Sequence, residues 1–373
     1  MDYRRKLFTH PKLYDHPGSD AYFVHAVKGN VAFHRRHCPG YAALLKNRGF
    51  RLRQIKSIPD LPRLPVIPTL YLKSHKLYSM PEGRILLKST SSGTKGKKSH
   101  VGFDLKGLYY GAHMVLRTVA FHKLLSIKPT NYIIMGYKPD KDNSAVISKT
   151  AFGATFFAPA LRRVYALKPS SDGYSPDFDA LKAALLRFSR QPFPVRLIGF
   201  PSYTWFFLQE LKKSGIKVRL HRDSMVLLGG GWKQFYTEEV DKPALYALIE
   251  EVLGIREENC KEFFGAVEHP IVYCDCKKHH FHVPAYSRVI IRDVNTLQPV
   301  RNGEPGLVNL ITPMLESIPL VSVMTDDLGV LHDGKDCGCG ISAPYFEIIG
   351  RTGVRDIKTC AAGAQELLGR EPV

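Results

Sequence analysis

Lys88-Ser89-Thr90-Ser91-Ser92-Gly93-Thr94-Lys95-Gly96-Lys97-Lys98 is the stretch on which the reading of this chain turns. The apolar run Ile85-Leu86-Leu87 leads straight into it, and hydroxyls and lysines surround its two glycines. Glycine lets the backbone turn with φ > 0 and approach a ligand closely. Successive N–H groups in such a turn form an anion-binding nest, to which Ser and Thr add donors and Lys adds charge. The same composition also suits a polar surface loop. The spacing Gly-x4-Gly-Lys-[Ser/Thr] is absent, so this is no Walker A loop, and no Gly-x-Gly-x-x-Gly follows a strand here.

Composition bounds what surrounds the loop. A length of 373 residues suggests two domains, or one large domain with a small appendage. With 44% hydrophobic and 11% aromatic residues there is ample material for a core. No apolar run reaches the ~18 residues of a membrane span. The charged start Met1-Asp2-Tyr3-Arg4-Arg5-Lys6 is followed by no apolar signal region, so a cytoplasmic chain is expected. In that compartment seven cysteines point to metal ligands or reactive thiols before disulfides. The formal charge of +19 suits nucleic acid, a solvated basic surface, or an anionic partner such as ATP, an acyl-carrier protein or a phosphopantetheine group. The basic residues are spread along the chain, and no RRM, KH or zinc-finger pattern occurs. Nucleic acid is therefore set aside.

Periodicity predicts a helix over residues 20–45 with Phe23, Val27 and Val31 on its apolar face. Four prolines (Pro59, Pro62, Pro65, Pro68) predict an extended path over residues 58–68. Helices are predicted at 104–125 (Leu108, Ala112, Val115 and Val119 on one face), 177–190, 201–213 and 242–253. Strands are predicted at 132–136, 195–200, 216–220 and 224–231, the last ending in Gly229-Gly230-Gly231. Alternating strands and helices predict an α/β chain with mostly parallel strands and a ligand at their carboxyl ends. From about residue 270, short strands with Pro and Gly turns predict a β-rich subdomain.

Several motifs then fall in order: the loop at 89–98, Leu227-Leu-Gly-Gly-Gly-Trp-Lys233, Phe263-Phe-Gly-Ala-Val-Glu-His-Pro270, Thr325-Asp-Asp-Leu-Gly329, and the run from Phe346 through Gly350-Arg351 to Asp356-Ile-Lys358. Their order and spacing resemble the adenylate-forming enzymes: acyl-CoA synthetases, firefly-type luciferases and non-ribosomal-peptide adenylation domains. More closely, the chain resembles the acyl-protein synthetase (LuxE-like) branch over about residues 60–365. The resemblance implies the large N-terminal-type α/β domain of that superfamily, without its usual C-terminal domain, since fifteen residues follow Lys358. It implies four segments: an N-terminal helical extension (1–60), an adenylation core (61–268), the β-rich subdomain (269–350) and a short tail (351–373).

The implied activity is that of an acid–thiol ligase. ATP activates a fatty or aromatic carboxylic acid as acyl-adenylate, pyrophosphate leaves, and a thiol takes the acyl group. That thiol belongs to the chain itself, a carrier protein or CoA. A non-catalytic acyl-carrying or reductase-complex subunit is the alternative. In the resemblance, Ser89, Thr90, Ser91, Ser92, Gly93, Thr94, Lys95 and Gly96 hold the β- and γ-phosphates. Gly229, Gly230 and Gly231 pack against adenine, and Glu268 ligates Mg²⁺. Asp327 takes the place of the ribose-binding aspartate, Asp326 stands where the family has glycine, and Arg351 matches the arginine that reaches ribose or phosphate. With the catalytic lysine of the larger relatives in doubt, Lys233 or a loop lysine is its candidate substitute. Cys360 lies where the bioluminescence enzymes carry their acylated cysteine, and Lys358 and Arg355 offer positive charge to lower its pKa. The aromatic run 199–207 lines the acyl pocket or belongs to the core.

The remaining cysteines form their own constellation: Cys274-Asp-Cys276-Lys-Lys-His279-His280-Phe-His282, and later Cys337-Gly-Cys339-Gly340. Two short Cys/His groups on separate strands are what a closed tetrahedral zinc site needs. Alternate strand residues share a face, which pairs Cys274 with Cys276 and His280 with His282. The expected ligands are Cys276, His282, Cys337 and Cys339, with Cys274 and His280 as alternates. A reactive or redox cluster and a chance grouping are the competing readings.

Overall fold

The computed structural model describes residues 1–90, 99–138, 146–170, 173–232, 235 and 239–351. The chain divides into two compact units: residues 119–264, and residues 1–118 together with the described residues from 265 onward.

The unit at 119–264 is a sheet covered by helices. Its strands lie in the order Cys260–Ala266, Met225–Gly229, Val195–Gly199, Thr130–Tyr137, Ala160–Ser170, Gly173–Pro176. The first five are parallel, and only Gly173–Pro176 runs antiparallel to its neighbour. Strands buried on both faces read as unbroken apolar runs, and all five residues of Val195–Gly199 are buried. Ile133, Met135, Leu197 and Val226 meet Leu185, Phe188, Leu208, Ile249 and Val252 from the helices Phe178–Ser189, Pro201–Lys213 and Lys242–Leu253. Two of those helices start at capping aspartates: Asp177 accepts from Ala180 N at 2.9 Å and Asp241 from Ala244 N at 2.9 Å.

The other unit carries a β-rich sheet in the order Phe281–His282, Tyr345–Arg351, Ser322–His332, Pro305–Ile311, Arg288–Arg292. The short strand Ile67–Pro68 pairs in parallel with Val323 and Met324. Helices Tyr3–Phe8, His16–His37 and Pro39–Asn47 belong to this unit. Phe23, Val27 and Val31 are buried as their spacing predicts. The single helix expected over 20–45 is two helices, broken at extended Cys38 in front of Pro39.

Three other expectations need correction. Residues 58–63 form a 3₁₀ helix, Ile58–Arg63, where an extended path was predicted. A 3₁₀ turn closes with i→i+3 bonds, and Pro59 sits where no N–H is needed. Asp60 Oδ2 then accepts from the backbone N–H groups of Lys56 and Ser57, each at 3.0 Å. Residues 216–220 form no strand. Val218 N and Leu220 N instead donate to the carbonyls of Val252 and Leu253, at 2.8 and 3.0 Å, satisfying the end of helix Lys242–Leu253. Helix Leu105–Phe121 buries Val119 as expected, together with Tyr110, Met114 and Thr118, but leaves Leu108 and Val115 half-buried and Ala112 exposed. Its apolar residues run all round, so the predicted stripe holds only in part. Helix Val146–Ala154 and the strands Ala160–Ser170 and Gly173–Pro176 were not anticipated.

His34 is fully buried. Its Nε2 donates to Leu315 O at 3.1 Å, which leaves Nδ1 to accept from the Ser79 hydroxyl at 2.7 Å. Burial lowers its pKa to about 3, and His269 is lowered to about 3 by burial alone. The unfolded chain takes up these protons near pH ~6.5 while the folded chain refuses them, so stability is lost as pH falls from there. Urea midpoints of the wild type should therefore drop between about pH 7 and pH 5, and His34→Gln should flatten that drop. An unchanged slope in the variant would contradict the assignment.

Candidate functional site

The β-rich sheet brings two of the expected nucleotide residues together. Strands Ser322–His332 and Tyr345–Arg351 pair antiparallel, with Asp327 opposite Arg351 and Leu328 opposite Gly350. The register slips between Leu328 and Gly329, where a Cβ on Gly329 would stand 2.6 Å from Glu347 O. Buried Thr325 fixes the approach to Asp327: its hydroxyl donates to Val308 O at 3.3 Å and accepts from Asp327 N at 3.2 Å. Along a strand, Asp326 and Asp327 point to opposite faces. Asp326 Oδ2 lies 3.7 Å from Lys73 Nζ, on helix Thr69–Ser74. The residue that replaces the family glycine is thus matched by a lysine, in a partly exposed pair worth at most ~1 kcal/mol.

Glu268 is buried, 5% exposed, in the turn just before strand His269–Cys274. Beside it, His269 Nε2 is 2.9 Å from Tyr273 Oη, which is 2.7 Å from Ser287 Oγ. Ser89 and Thr90 lie in strand Leu87–Thr90, opposite Val101 and His100 of His100–Phe103. The strand takes both hydroxyl residues into its ladder. In the other unit, Gly229 closes strand Met225–Gly229 against Phe263. Gly230 (φ 86°) and Gly231 (φ 66°) follow in a left-handed turn that L side chains rarely adopt. Ser91, Ser92, Gly93, Thr94, Lys95, Gly96, Lys233 and Cys360 lie outside the described residues, as does the side chain of Arg351.

The Cys/His constellation converges. The donor atoms of Cys276, His282, Cys337 and Cys339 all lie within 4.8 Å of one another. Among the described residues it is the group of three or more Cys, His, Asp or Glu gathered that tightly. Cys276 Sγ and Cys337 Sγ are 3.6 Å apart, and Cys339 Sγ is 3.1 Å from His282 Nε2. Two thiolates on one tetrahedral zinc, each about 2.3 Å from it, stand about 3.7 Å apart. His282 Nδ1 donates to Ala343 O at 2.7 Å, which leaves the Nε2 lone pair facing the thiols. Lys278 N donates to Cys276 Sγ (3.3 Å) and Ile341 N to Cys339 Sγ (3.4 Å). Gly338 (φ 67°) and Gly340 (φ 93°) let the Cys337–Cys339 segment fold back on itself. Of the alternates, Cys274 turns its thiol to Asp275 O, and His280 Nδ1 is 3.2 Å from Cys337 Sγ.

The two thiols titrate in opposite directions. Burial raises the Cys276 thiol, but its contacts with the His282 ring and the nearby backbone outweigh it and hold the pKa below the ordinary range. Cys337 is pushed up to about 12 by burial, then by Cys339 and Cys276. Without a cation the cluster resists a second thiolate, whereas a divalent ion would stabilise several. No helix of the described residues is long and apolar enough to cross a membrane.

Comparison with known proteins follows from this geometry. The sequence model of the family described as "Acyl-protein synthetase, LuxE" matches residues 19–368. The chain is 24% identical to a long-chain-fatty-acid–luciferin-component ligase of Vibrio harveyi, over 90% of this chain and 85% of that protein. It is 26% identical to the ligase of that name from Aliivibrio fischeri, over 80% and 76%. A phenylacetate–coenzyme A ligase of Thermus thermophilus is 24% identical over 87% of this chain and 68% of its own length. Among solved structures, 2-hydroxyisobutyryl-CoA ligase in an open conformation superimposes with a TM-score of 0.66 at 15% identity, covering 95% of this chain and 79% of that one. That likeness establishes the fold, which this chain shares with that ligase.

Proposed function

The chain belongs to the LuxE acyl-protein synthetase family, and from that premise we propose that it is a ligase that activates a carboxylic acid with ATP and passes the acyl group to a thiol. The observation that carries the reading is the register that sets Asp327 opposite Arg351. A carboxylate accepts two ribose hydroxyls at once, and an arginine across the ladder serves ribose or phosphate.

In the proposed reaction, a carboxylate oxygen of the acid attacks the α-phosphorus of ATP. The acyl–phosphate anhydride bond forms as the bond to the departing pyrophosphate breaks. A thiolate sulfur then attacks the acyl carbon, and AMP leaves. Such transfers depend on positioning and charge stabilisation. Mg²⁺ would neutralise charge on the phosphates, with Glu268 as its protein ligand. Ser89 and Thr90, with the loop that follows them, would hold the β- and γ-phosphates. Gly229, Gly230 and Gly231 would leave a flat edge for adenine. Lys233 would supply a cation near the reacting phosphate. Cys360 is the proposed acyl acceptor, with CoA or a carrier protein as the alternative destination. A structural zinc ion in the Cys/His cluster is the third cofactor, apart from the reacting groups. The ligase names of the Vibrio and Aliivibrio relatives support a long-chain acid. A reductase is the partner class proposed to consume the product.

Two outcomes are expected. Glu268→Gln should slow AMP formation about 100-fold, and Asp327→Asn should raise the KM for ATP, with Tm close to wild type in both. Full activity in either variant would remove that residue from the site. With ATP and a labelled long-chain acid, the wild type should acquire a hydroxylamine-sensitive label and Cys360→Ala should not, although both make AMP. Equal labelling of the variant would move the acceptor elsewhere.

A further inference from the structure

We infer that zinc bound by Cys276, His282, Cys337 and Cys339 sets the register of the strand pair carrying Asp327 and Arg351, so that loss of the metal weakens nucleotide binding. The coupling rests on the nucleotide reading above; the metal site stands without it.

The donor set selects the metal. Three thiolates and one imidazole suit zinc, and exclude Mg²⁺ and Ca²⁺, which prefer oxygen. All four positions of a tetrahedron are filled by protein, three of them from buried residues, so no position is open for a substrate. The surrounding bonds orient the ligands. Ala343 O holds the His282 tautomer, and backbone N–H groups of Lys278 and Ile341 reach the sulfurs of Cys276 and Cys339. On the first ligand arm, His279 Nδ1 lies 2.6 Å from fully buried Asp275 Oδ2, and Cys276 N donates to His280 O at 3.0 Å. That closes the turn between Cys276 and His282.

The ligands sit where they control one strand. Tyr345, the first residue of Tyr345–Arg351, pairs with His282 on one side and His332 on the other. Cys337 and Cys339 lie in the connection between Ser322–His332 and Tyr345–Arg351. A metal joining these arms therefore clamps the closed end of the hairpin. Asp327 and Arg351 occupy its other end, about 17 Å from His332 to Asp327 and about 20 Å from Tyr345 to Arg351 at ~3.3 Å per residue. Among the described residues, the strand meets on one flank only the two-residue partner Phe281–His282, and its ladder already carries an irregularity at Leu328/Gly329. A one-residue slip turns every side chain to the opposite face, which would take Arg351 away from Asp327. Metal ligation closes the connecting segment and opposes that slip, because ligand binding to the folded arrangement alone adds to its stability.

The test uses the full-length protein purified without chelator. Elemental analysis should find about one zinc per chain, and cobalt substitution should give thiolate-to-cobalt charge-transfer absorption. Cys339→Ser should lose the metal and His280→Ala should keep it. Removing zinc from the wild type should speed amide exchange in residues 322–332 and 345–351 and weaken ATP binding about 10-fold, with recovery on adding zinc back. If Cys339→Ser fails to fold, the wild-type cobalt titration still decides the site. Absence of the charge-transfer band, or a Cys276–Cys337 disulfide in the purified protein, overturns the metal site. Zinc-free protein with unchanged exchange and unchanged ATP affinity overturns the coupling. ATP binding absent from both forms would instead overturn the nucleotide reading, while metal content and exchange judge the clamp separately.

Discussion

One hairpin register governs the β-rich unit. Ser322–His332 and Tyr345–Arg351 must pair so that Asp327 meets Arg351, and backbone ladders alone do not select that alignment over its neighbours. Contacts at both ends of the pair favour it. Ile67 and Pro68 pair with Val323 and Met324 at one end of the long strand, and Tyr345 is held between His282 and His332 at the other. Gly329 admits the irregularity between them, since a Cβ there would meet both Glu347 O at 2.6 Å and Val308 Cγ2 at 2.8 Å. The Cys/His cluster lies at the closed end of the hairpin, and Asp327 lies toward its other end.

The two units solve burial differently. In residues 119–264 the parallel strands are apolar on both faces, and helices cover them. There the chain invests in capped helices and in a glycine turn after Met225–Gly229. The β-rich unit buries polar residues and satisfies them specifically. Asn309, fully buried, donates to Ser322 Oγ at 3.0 Å and Val323 O at 3.1 Å and accepts from Arg292 Nε at 3.0 Å. Such networks fix one alignment of strands, because a slip would leave several buried groups unpaired. The overall charge of +19 acts on a longer range, favouring encounter with anions.

How much of this was legible in the sequence depended on whether a pattern was local. Helices Pro201–Lys213 and Lys242–Leu253 stand where their periodicity and Pro-led starts put them. Cys276, His282, Cys337 and Cys339, expected as ligands from two short Cys/His groups on separate strands, are the four residues whose donor atoms converge. Patterns that depend on distant partners misled. Residues 216–220 look like a strand, but the carbonyls of Val252 and Leu253 take their donors. Nothing near Lys73 announces that it faces Asp326, and no local signal aligns Asp327 with Arg351, because register is set across the ladder. The antiparallel partner Gly173–Pro176 was missed for the same reason.

The account places acid activation by ATP at its centre, and acid-dependent ATP–pyrophosphate exchange tests that most directly. Purified protein with ATP, Mg²⁺ and labelled pyrophosphate should return label to ATP when a long-chain carboxylic acid is supplied, and should not without acid. Exchange should persist in Cys360→Ala, since the adenylate forms before the thiol acts. Failure of every acid in a panel of fatty and aromatic carboxylates to support exchange, by zinc-replete protein, would contradict the account.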